Sequence, residues 1–385
     1  QENESVNECW ISDRDRFSYE GLYAQDRLTS PMVRTDDHWH TVPWQDALTG
    51  AREAIASSVK EHGADKVAIL LGAHTTLEEA SLAKKLSQQL GGTIIDHRLR
   101  VTDAALDQGG GIPWLGLKVA DLGTVDRFLV IGSNLRQEQP LIAQRIRQRV
   151  KKGASLCVVG STDDDLLCPV AAKAVVKPSM IWETLAGIAG SLAKRLEKTS
   201  PVSVSAPTAD QEAIAASLAS GKNVAVLVGD LALSNADASH IEALANLIAS
   251  LCGGNYGRLT LSSASVGSYI AGATPTGGAI TAHQALTGAA KAFILVGCEP
   301  ELDSAAGAAA LETLKDAGKV VCLTSFASDT MRAYADVLLP ITPFTETSGT
   351  YVSEDGTVQS FTGVVRPLGD ARPGWKVLRV LSDLL

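Results

Sequence analysis

Phe128-Leu-Val-Ile-Gly-Ser-Asn134 is a short apolar run that stops at a glycine. Downstream, Ile142, Ile146 and Val150 recur at a spacing of four, one face of a helix, and Leu156-Cys-Val-Val159 is a second apolar run. Strand, helix, strand in so short a span predicts a compact βαβ unit, and such units build parallel sheets. The alternation continues outward on both sides. Toward the amino terminus, Lys66 to Leu71 predicts a strand. Thr76 and Glu79 then form a capping box for a helix with Leu82, Ala83, Leu86 and Leu90 on one face, ended by Gly91 and Gly92. Thr93 to Ile95 predicts the next strand. Toward the carboxyl terminus, Val224 to Val228 predicts a strand and Ile241, Leu244, Ala245, Ile248 and Leu251 a helix stopped by Gly253 and Gly254. Phe293 to Val296 and Val320 to Leu323 are two more strands around an alanine-rich helix, Ser304 to Ala317. The pattern is that of an α/β protein. Lys198 to Thr208, rich in Ser, Pro and Thr, predicts a connection between lobes. From Thr347, Gly349, Gly356, Gly363 and Gly369 among β-prone residues predict strands and turns laid over the α/β body.

Composition narrows the classes. With 385 residues, 45% of them hydrophobic, the chain buries one large core or two medium ones. A net charge of -9 with dispersed basic residues argues against a nucleic-acid grip, which needs a concentrated basic face. Apolar stretches such as Val67 to Leu71 and Phe293 to Val296 fall far short of the ~20 residues that cross a bilayer, so no membrane span is expected. Gln1 to Glu8 has neither a basic nor an apolar signal-peptide region, and a chain starting at Gln1 rather than Met is expected to be part of a longer protein. Among the cysteines, Cys157, Cys252, Cys298 and Cys322 sit in or beside apolar runs and no CxxC pair occurs, which predicts reduced, buried thiols.

In parallel sheets, ligands settle beyond the carboxyl ends of strands. Three loops qualify: Gly132-Ser133-Asn134, Gly229-Asp230 and Gly297-Cys298-Glu299-Pro300. None is specific, and a glycine there is more often a structural turn. GxGxxG and GxxxxGK[ST] are absent, which excludes the usual NAD and ATP enzymes, and no GxSxG or HExxH motif offers a nucleophile or a zinc site. His38 and His40 could hold a metal, but flanked by Trp39 and Trp44 they are expected in a packed aromatic turn. Asp163-Asp-Asp165 is expected to be a solvated loop.

Trp10-Ile-Ser-Asp-Arg-Asp-Arg-Phe-Ser-Tyr-Glu-Gly-Leu22, followed by Asp26-Arg-Leu-Thr-Ser-Pro-Met-Val-Arg34, resembles the segment just after the iron–sulfur cysteines in the large iron–sulfur subunit of bacterial NADH:quinone oxidoreductases (respiratory complex I). It is also similar to the CxKGRFGY and RLTxPLxR segments of molybdopterin oxidoreductases such as formate dehydrogenases. The resemblance continues collinearly through Trp44-Gln-Asp-Ala-Leu48, Leu90-Gly-Gly-Thr-Ile-Ile-Asp-His-Arg-Leu-Arg100, Gly132-Ser-Asn134, Ala335-Asp-Val-Leu-Leu-Pro340, Glu346-Thr-Ser-Gly-Thr350 and Glu354-Asp-Gly-Thr-Val-Gln359. It implies a molybdopterin-oxidoreductase-like α/β fold of two Rossmann-like αβα lobes, one of them discontinuous in sequence. The implied division is 1–43 as the remnant of an iron–sulfur-linked segment, 44–125 and 205–385 as the large lobe with a β-rich tail, and 126–200 as an inserted small lobe.

The departures from the family pattern bear on chemistry. Where the family has the last thiolate of a [4Fe-4S] cluster, this chain has Ser12, a poor iron ligand. Cys9 lies three residues away, but its companions would have to precede Gln1, so no cluster is expected at this position. The family's DxxxRx pattern survives as Asp96 to Val101, and the metal-ligand position that follows holds Thr102, which offers no soft thiolate to molybdenum or tungsten, although some relatives use Ser or Asp there. After Val159 the chain runs into Gly160-Ser-Thr162, without the carboxylate that holds the guanosine half of the cofactor. The resemblance therefore implies a non-catalytic scaffold in the peripheral arm of complex I, with no catalytic residue, no cofactor and no metal in this fragment. Gly132, Ser133, Asn134, Gly297 and Glu299 would be relics of cofactor loops. The [4Fe-4S] and [2Fe-2S] clusters would lie upstream of Gln1, and the partners would be other peripheral-arm subunits. The location implied is the cytoplasmic face of the bacterial inner membrane. The alternative is an active molybdenum or tungsten bis-molybdopterin guanine dinucleotide oxidoreductase, such as a formate dehydrogenase.

Overall fold

The computed structural model describes residues 2–108, 110–202, 206–260 and 262–385, and the chain divides into two compact units. One comprises residues 17–112, 262–353 and 357–385, the other residues 1–16, 113–261 and 354–356. Strands are numbered in chain order.

The 17–112 unit is built on a seven-stranded sheet formed by β1 (Met32–Thr35), β2 (His38–Thr41), β3 (Val67–Leu71), β4 (Ile94–Asp96) and, from later in the chain, β10 (Ala292–Val296), β11 (Lys319–Thr324) and β12 (Val337–Pro340). Their order is β2-β1-β12-β11-β10-β3-β4. The five strands from β12 to β4 are parallel, and β1 and β2 extend the edge antiparallel. Side chains alternate across the sheet and so divide the apolar runs between two cores. Ile69, Leu71, Ile294, Val296, Val321 and Leu323 face helices Trp44–His62, Leu77–Gln89 and Gly374–Leu384. Ala68, Leu70, Phe293, Leu295, Val320 and Cys322 face Leu314, Met331 and Tyr334. The Thr76–Glu79 capping box forms as expected, with Thr76 Oγ1 accepting the Glu79 N–H and Glu79 Oε2 accepting the Thr76 N–H.

The other unit holds the βαβ that begins at Phe128. Here β5 (Arg127–Ile131), β6 (Ser155–Gly160), β7 (Ala172–Val175), β8 (Val224–Val228) and β9 (Asn255–Arg258) form an all-parallel sheet in the order β7-β6-β5-β8-β9. Phe128, Val130, Leu156, Ala225 and Leu227 pack with Ile142 and Ile146 of helix Pro140–Lys151. Helix Ala238–Cys252 ends at Gly253, in the left-handed region with φ 62, where the sequence places its stop.

Several expectations are corrected. Residues 224–258 do not join the large lobe, because β8 pairs in register with β5, Phe128 opposite Ala225 and Ile131 opposite Val228. Lys198 to Thr208 is therefore a connection within one unit, joining helix Ile181–Arg195 to helix Ala209–Ala219, which Thr208 caps. Residues 203–205 of that stretch, like Gln1, lie outside the described residues. The 1–43 segment is divided, and from residue 17 it belongs to the seven-stranded unit, where Met32 pairs with Leu338. The alanine-rich helix is shorter than expected, Ala308–Lys315, because Gly307 turns the backbone at φ 49 just before it. The tail forms a hairpin, β13 (Gly349–Val352) with β14 (Val358–Phe361), but ends in helix Gly374–Leu384 rather than in further strands. Val377, Leu378 and Leu381 of that helix enter the core, one short apolar stripe that the surrounding Pro and Gly mask in the sequence.

Candidate functional site: the strand-end loops

Each of the glycine loops singled out in the sequence sits at the carboxyl end of a parallel strand. Beyond β5, Gly132 adopts φ 56, and a Cβ there would lie 2.5 Å from the Ala232 Cβ. A Cβ on Gly229, beyond β8, would lie 2.3 Å from the Ser133 Cβ. The two neighbouring loops thus pack directly against each other, and Gly132 O accepts the Ala232 N–H at 3.2 Å. Ser133 Oγ donates to Glu138 Oε2 at 2.7 Å. Asn134 uses its carbonyl to accept the Gln137 and Glu138 N–H groups, and its side chain makes no cap hydrogen bond.

Beyond β10, Gly297 adopts φ 63, and its carbonyl oxygen would lie 1.9 Å from a Cβ on Gly72, the residue after β3. The Glu299 N–H donates to Asp303 Oδ2 at 2.8 Å, and Glu299 Oε1 accepts from Ser328 Oγ at 3.0 Å. Tyr334 donates its hydroxyl to Glu301 Oε2 at 3.1 Å. Burial pushes the Glu301 carboxyl up, and it pushes the Cys298 and Cys322 thiols well above their usual range. Such thiols are core hydrophobes rather than nucleophiles. Cys157 is buried as well, whereas Cys252 is only half-buried.

Ser12 and Thr102, where the resemblance places the family's ligands, carry hydroxyls in ordinary local structure. Ser12 Oγ donates to Asp15 Oδ2 at 2.5 Å and accepts the Asp15 N–H at 3.1 Å, capping the turn Asp13–Phe17, with Cys9 exposed nearby in sequence. Thr102 is half-buried in the loop after β4. That loop is fixed by a group the sequence did not reveal. Asp96 Oδ1 accepts the Arg98 N–H and Nε–H, each at 3.0 Å, and Asp96 Oδ2 accepts the Ala282 N–H at 2.9 Å. Arg98 Nη1 reaches Asp107 Oδ2 at 2.8 Å, where Tyr269 also donates at 2.6 Å. The Arg98 and Asp96 side chains are 2% and 0% exposed, so this ion group is enclosed by protein. Burial opposes the Arg98 charge, but Asp96, Tyr269 and Asp107 together outweigh it and hold the guanidinium above its ordinary pKa. Burial holds the adjacent His97 below its own, with Nδ1 3.0 Å from Ala273 O and its ring edge-on to Tyr269. The surviving DxxxRx pattern supplies Asp96, but its arginine is Arg100, and Arg98 falls on one of the pattern's open positions. Asp107 and Tyr269 carried no local signal, because they arrive from other parts of the chain.

His38 and His40 lie exposed on the edge strand β2 rather than in a packed turn. Asp163 pairs with Lys173, and Asp164 accepts from Thr162 Oγ1. Among the described residues, no group of three or more His, Cys, Asp or Glu side chains is placed to hold a metal ion, and no helix is long and apolar enough to cross a membrane.

Parallel sheets flanked by helices, with glycine loops at the strand ends, define the class. A molybdopterin oxidoreductase family model matches residues 27–384, and the chain belongs to that family. Its curated relatives over the whole chain are components of NADH-quinone oxidoreductase. The mitochondrial 78 kDa subunit of NADH-ubiquinone oxidoreductase from Candida albicans is 26% identical over 100% of this chain and 48% of its own length. The corresponding NADH-quinone oxidoreductase subunit of Rickettsia bellii is 26% identical over 100% of this chain and 50% of its own. The chain spans about half the length of these relatives. Acetylene hydratase from Pelobacter acetylenicus shares the fold with a TM-score of 0.72 at 13% identity, over 100% of this chain and 65% of the other.

Proposed function

We propose that this chain is a non-catalytic scaffold portion of the peripheral arm of an NADH:quinone oxidoreductase, in which the molybdopterin site of the family has degenerated. The observation that carries the reading is the donor set. The family's two soft-ligand positions hold the hydroxyls of Ser12 and Thr102, which give a molybdenum, tungsten or iron centre no thiolate. The relic loops fit an anionic dinucleotide no better. The Ser133 hydroxyl is turned onto Glu138 and the Glu299 N–H onto Asp303, so each loop spends a donor on a carboxylate of its own. A pterin therefore has no step of chemistry to perform in this chain.

On this reading the electron path from NADH toward quinone runs through [4Fe-4S] and [2Fe-2S] clusters in a region preceding Gln1. The chain itself packs against neighbouring peripheral-arm subunits on the cytoplasmic face of a bacterial membrane. Burial of clusters by such a scaffold tunes their potentials. The test is metal and pterin analysis of the chain purified from cells that make molybdopterin. Trace molybdenum and tungsten, and no fluorescent pterin after acid oxidation, are expected. Either metal or the pterin near one per chain would overturn the proposal.

A further inference from the structure

A groove of about 480 Å³ opens on the surface of the seven-stranded unit, between the first turn of helix Trp44–His62 and the exposed side of helix Gly374–Leu384. Its floor is apolar, with Leu48, Val377 and Val380, and its walls include Trp44 and Trp375. Three cations stand on its rim: Arg372, Lys376 and Arg379, all exposed. Exposed cations usually find a carboxylate or point freely into solvent. Among the described residues these three form no ion pair, and two of them are held over aromatic faces. The Arg372 guanidinium lies 4.6 Å from the Trp44 ring centroid and the Lys376 ammonium 5.3 Å from that of Trp375. Trp44 is itself fixed, because its Nε1–H donates to Asp370 O at 2.8 Å. Stacking on a ring restricts the long cationic side chains while leaving their charge unneutralised, which lowers the ordering cost of meeting an anion.

In a chain of net charge -9, three unpaired cations around an apolar trough are a local reversal of sign. We infer that this groove is a docking site for an acidic polypeptide segment that carries an apolar side chain. The apolar residue would enter the trough between Trp44 and Trp375, and flanking carboxylates would meet Arg372, Lys376 and Arg379. Charge complementarity would set the rate of encounter, and the buried apolar anchor the lifetime. That the segment belongs to a neighbouring polypeptide of the complex rests on the scaffold reading. The binding chemistry does not, so peptide binding can fail while the metal analysis succeeds, and the reverse.

The probe is a fluorescein-labelled octapeptide of alternating glutamate and leucine, titrated with the purified chain and followed by fluorescence anisotropy. Control peptides replace glutamate by glutamine or by lysine. Saturable binding that weakens at least about tenfold with the glutamine peptide, and again about tenfold in Arg372→Gln/Lys376→Gln/Arg379→Gln, supports the inference. A second variant, Lys376→Glu/Arg379→Glu, changes only exposed helix positions and should abolish binding of the glutamate peptide with the thermal midpoint unchanged. Absence of saturable binding to the chain, equal binding of the lysine peptide, or binding unchanged by both variants would overturn it. Binding of the chain to phosphatidylglycerol vesicles in preference to the glutamate peptide, lost in the same variants, would also overturn it in favour of a lipid surface.

Discussion

The Glu354 carboxylate accepts two hydrogen bonds from one residue, Thr260: the backbone N–H at 2.7 Å and the hydroxyl at 3.0 Å. Glu354 also gives its carbonyl to the Leu115 N–H at 2.7 Å, so a short piece of the tail is stitched into the unit that holds β5 to β9.

Burial raises the Glu354 carboxyl from its ordinary 4.5 to about 7, against the two Thr260 hydrogen bonds, which favour the charge. A raised folded-state value means that the folded chain holds this proton more tightly than the unfolded one. Its contribution is present below 4.5 and is lost as pH rises through about 7, a swing of about 3 kcal/mol at most. Glu354→Gln, which mimics the protonated form, should flatten urea stability between these limits and gain on the parent at about pH 8. An unchanged pH profile would show that Glu354 is not the titrating group.

Arg98 balances Asp96 and Asp107 where water does not reach. Arg98→Met should cost about 3–5 kcal/mol, because it strands buried carboxylates. Adding Asp96→Asn to that variant should recover part of the loss, since one stranded charge is removed. Denaturant midpoints of the single and double variants measure the coupling, and strict additivity would contradict it.

Gly257 lies against a second backbone, with the Leu115 carbonyl oxygen 1.9 Å from where a Cβ would stand. Backbone on both sides leaves no flexible side chain to yield. Gly257→Ala should therefore destabilise the chain by about 3 kcal/mol, more than most exposed substitutions, and thermal unfolding reads the change.

Phe128 is fully buried in the middle of the core over the β5–β6 unit. Phe128→Ala should cost about 3–5 kcal/mol through lost transfer energy and the cavity left behind. A cost under about 1 kcal/mol by urea denaturation would mean that this core is not the packed one described.

The apolar runs and caps were legible because they are local. Phe128 to Ile131, the Thr76–Glu79 box and the Gly253 stop each state their element within a few residues. The strand-end loops were legible for the same reason, as glycines directly after strands. Helix Gly374–Leu384 was not, since its apolar stripe is short and gains meaning only against the sheet that Val377 and Leu381 pack on. The cationic groove was equally hidden, because Trp44 and Arg372 are more than three hundred positions apart and their stacking leaves no pattern in sequence.

By itself the sequence determined that parallel strands alternate with helices, and that hydroxyls stand at Ser12 and Thr102, because periodicity and side-chain chemistry are properties of neighbours and single residues. Tertiary structure alone decided which strands share a sheet. It put β8 beside β5, paired Met32 with Leu338, and brought Asp107 and Tyr269 to Arg98. Backbone hydrogen bonds carry no residue identity, so an apolar strand can pair with any other until the whole fold has fixed its neighbours.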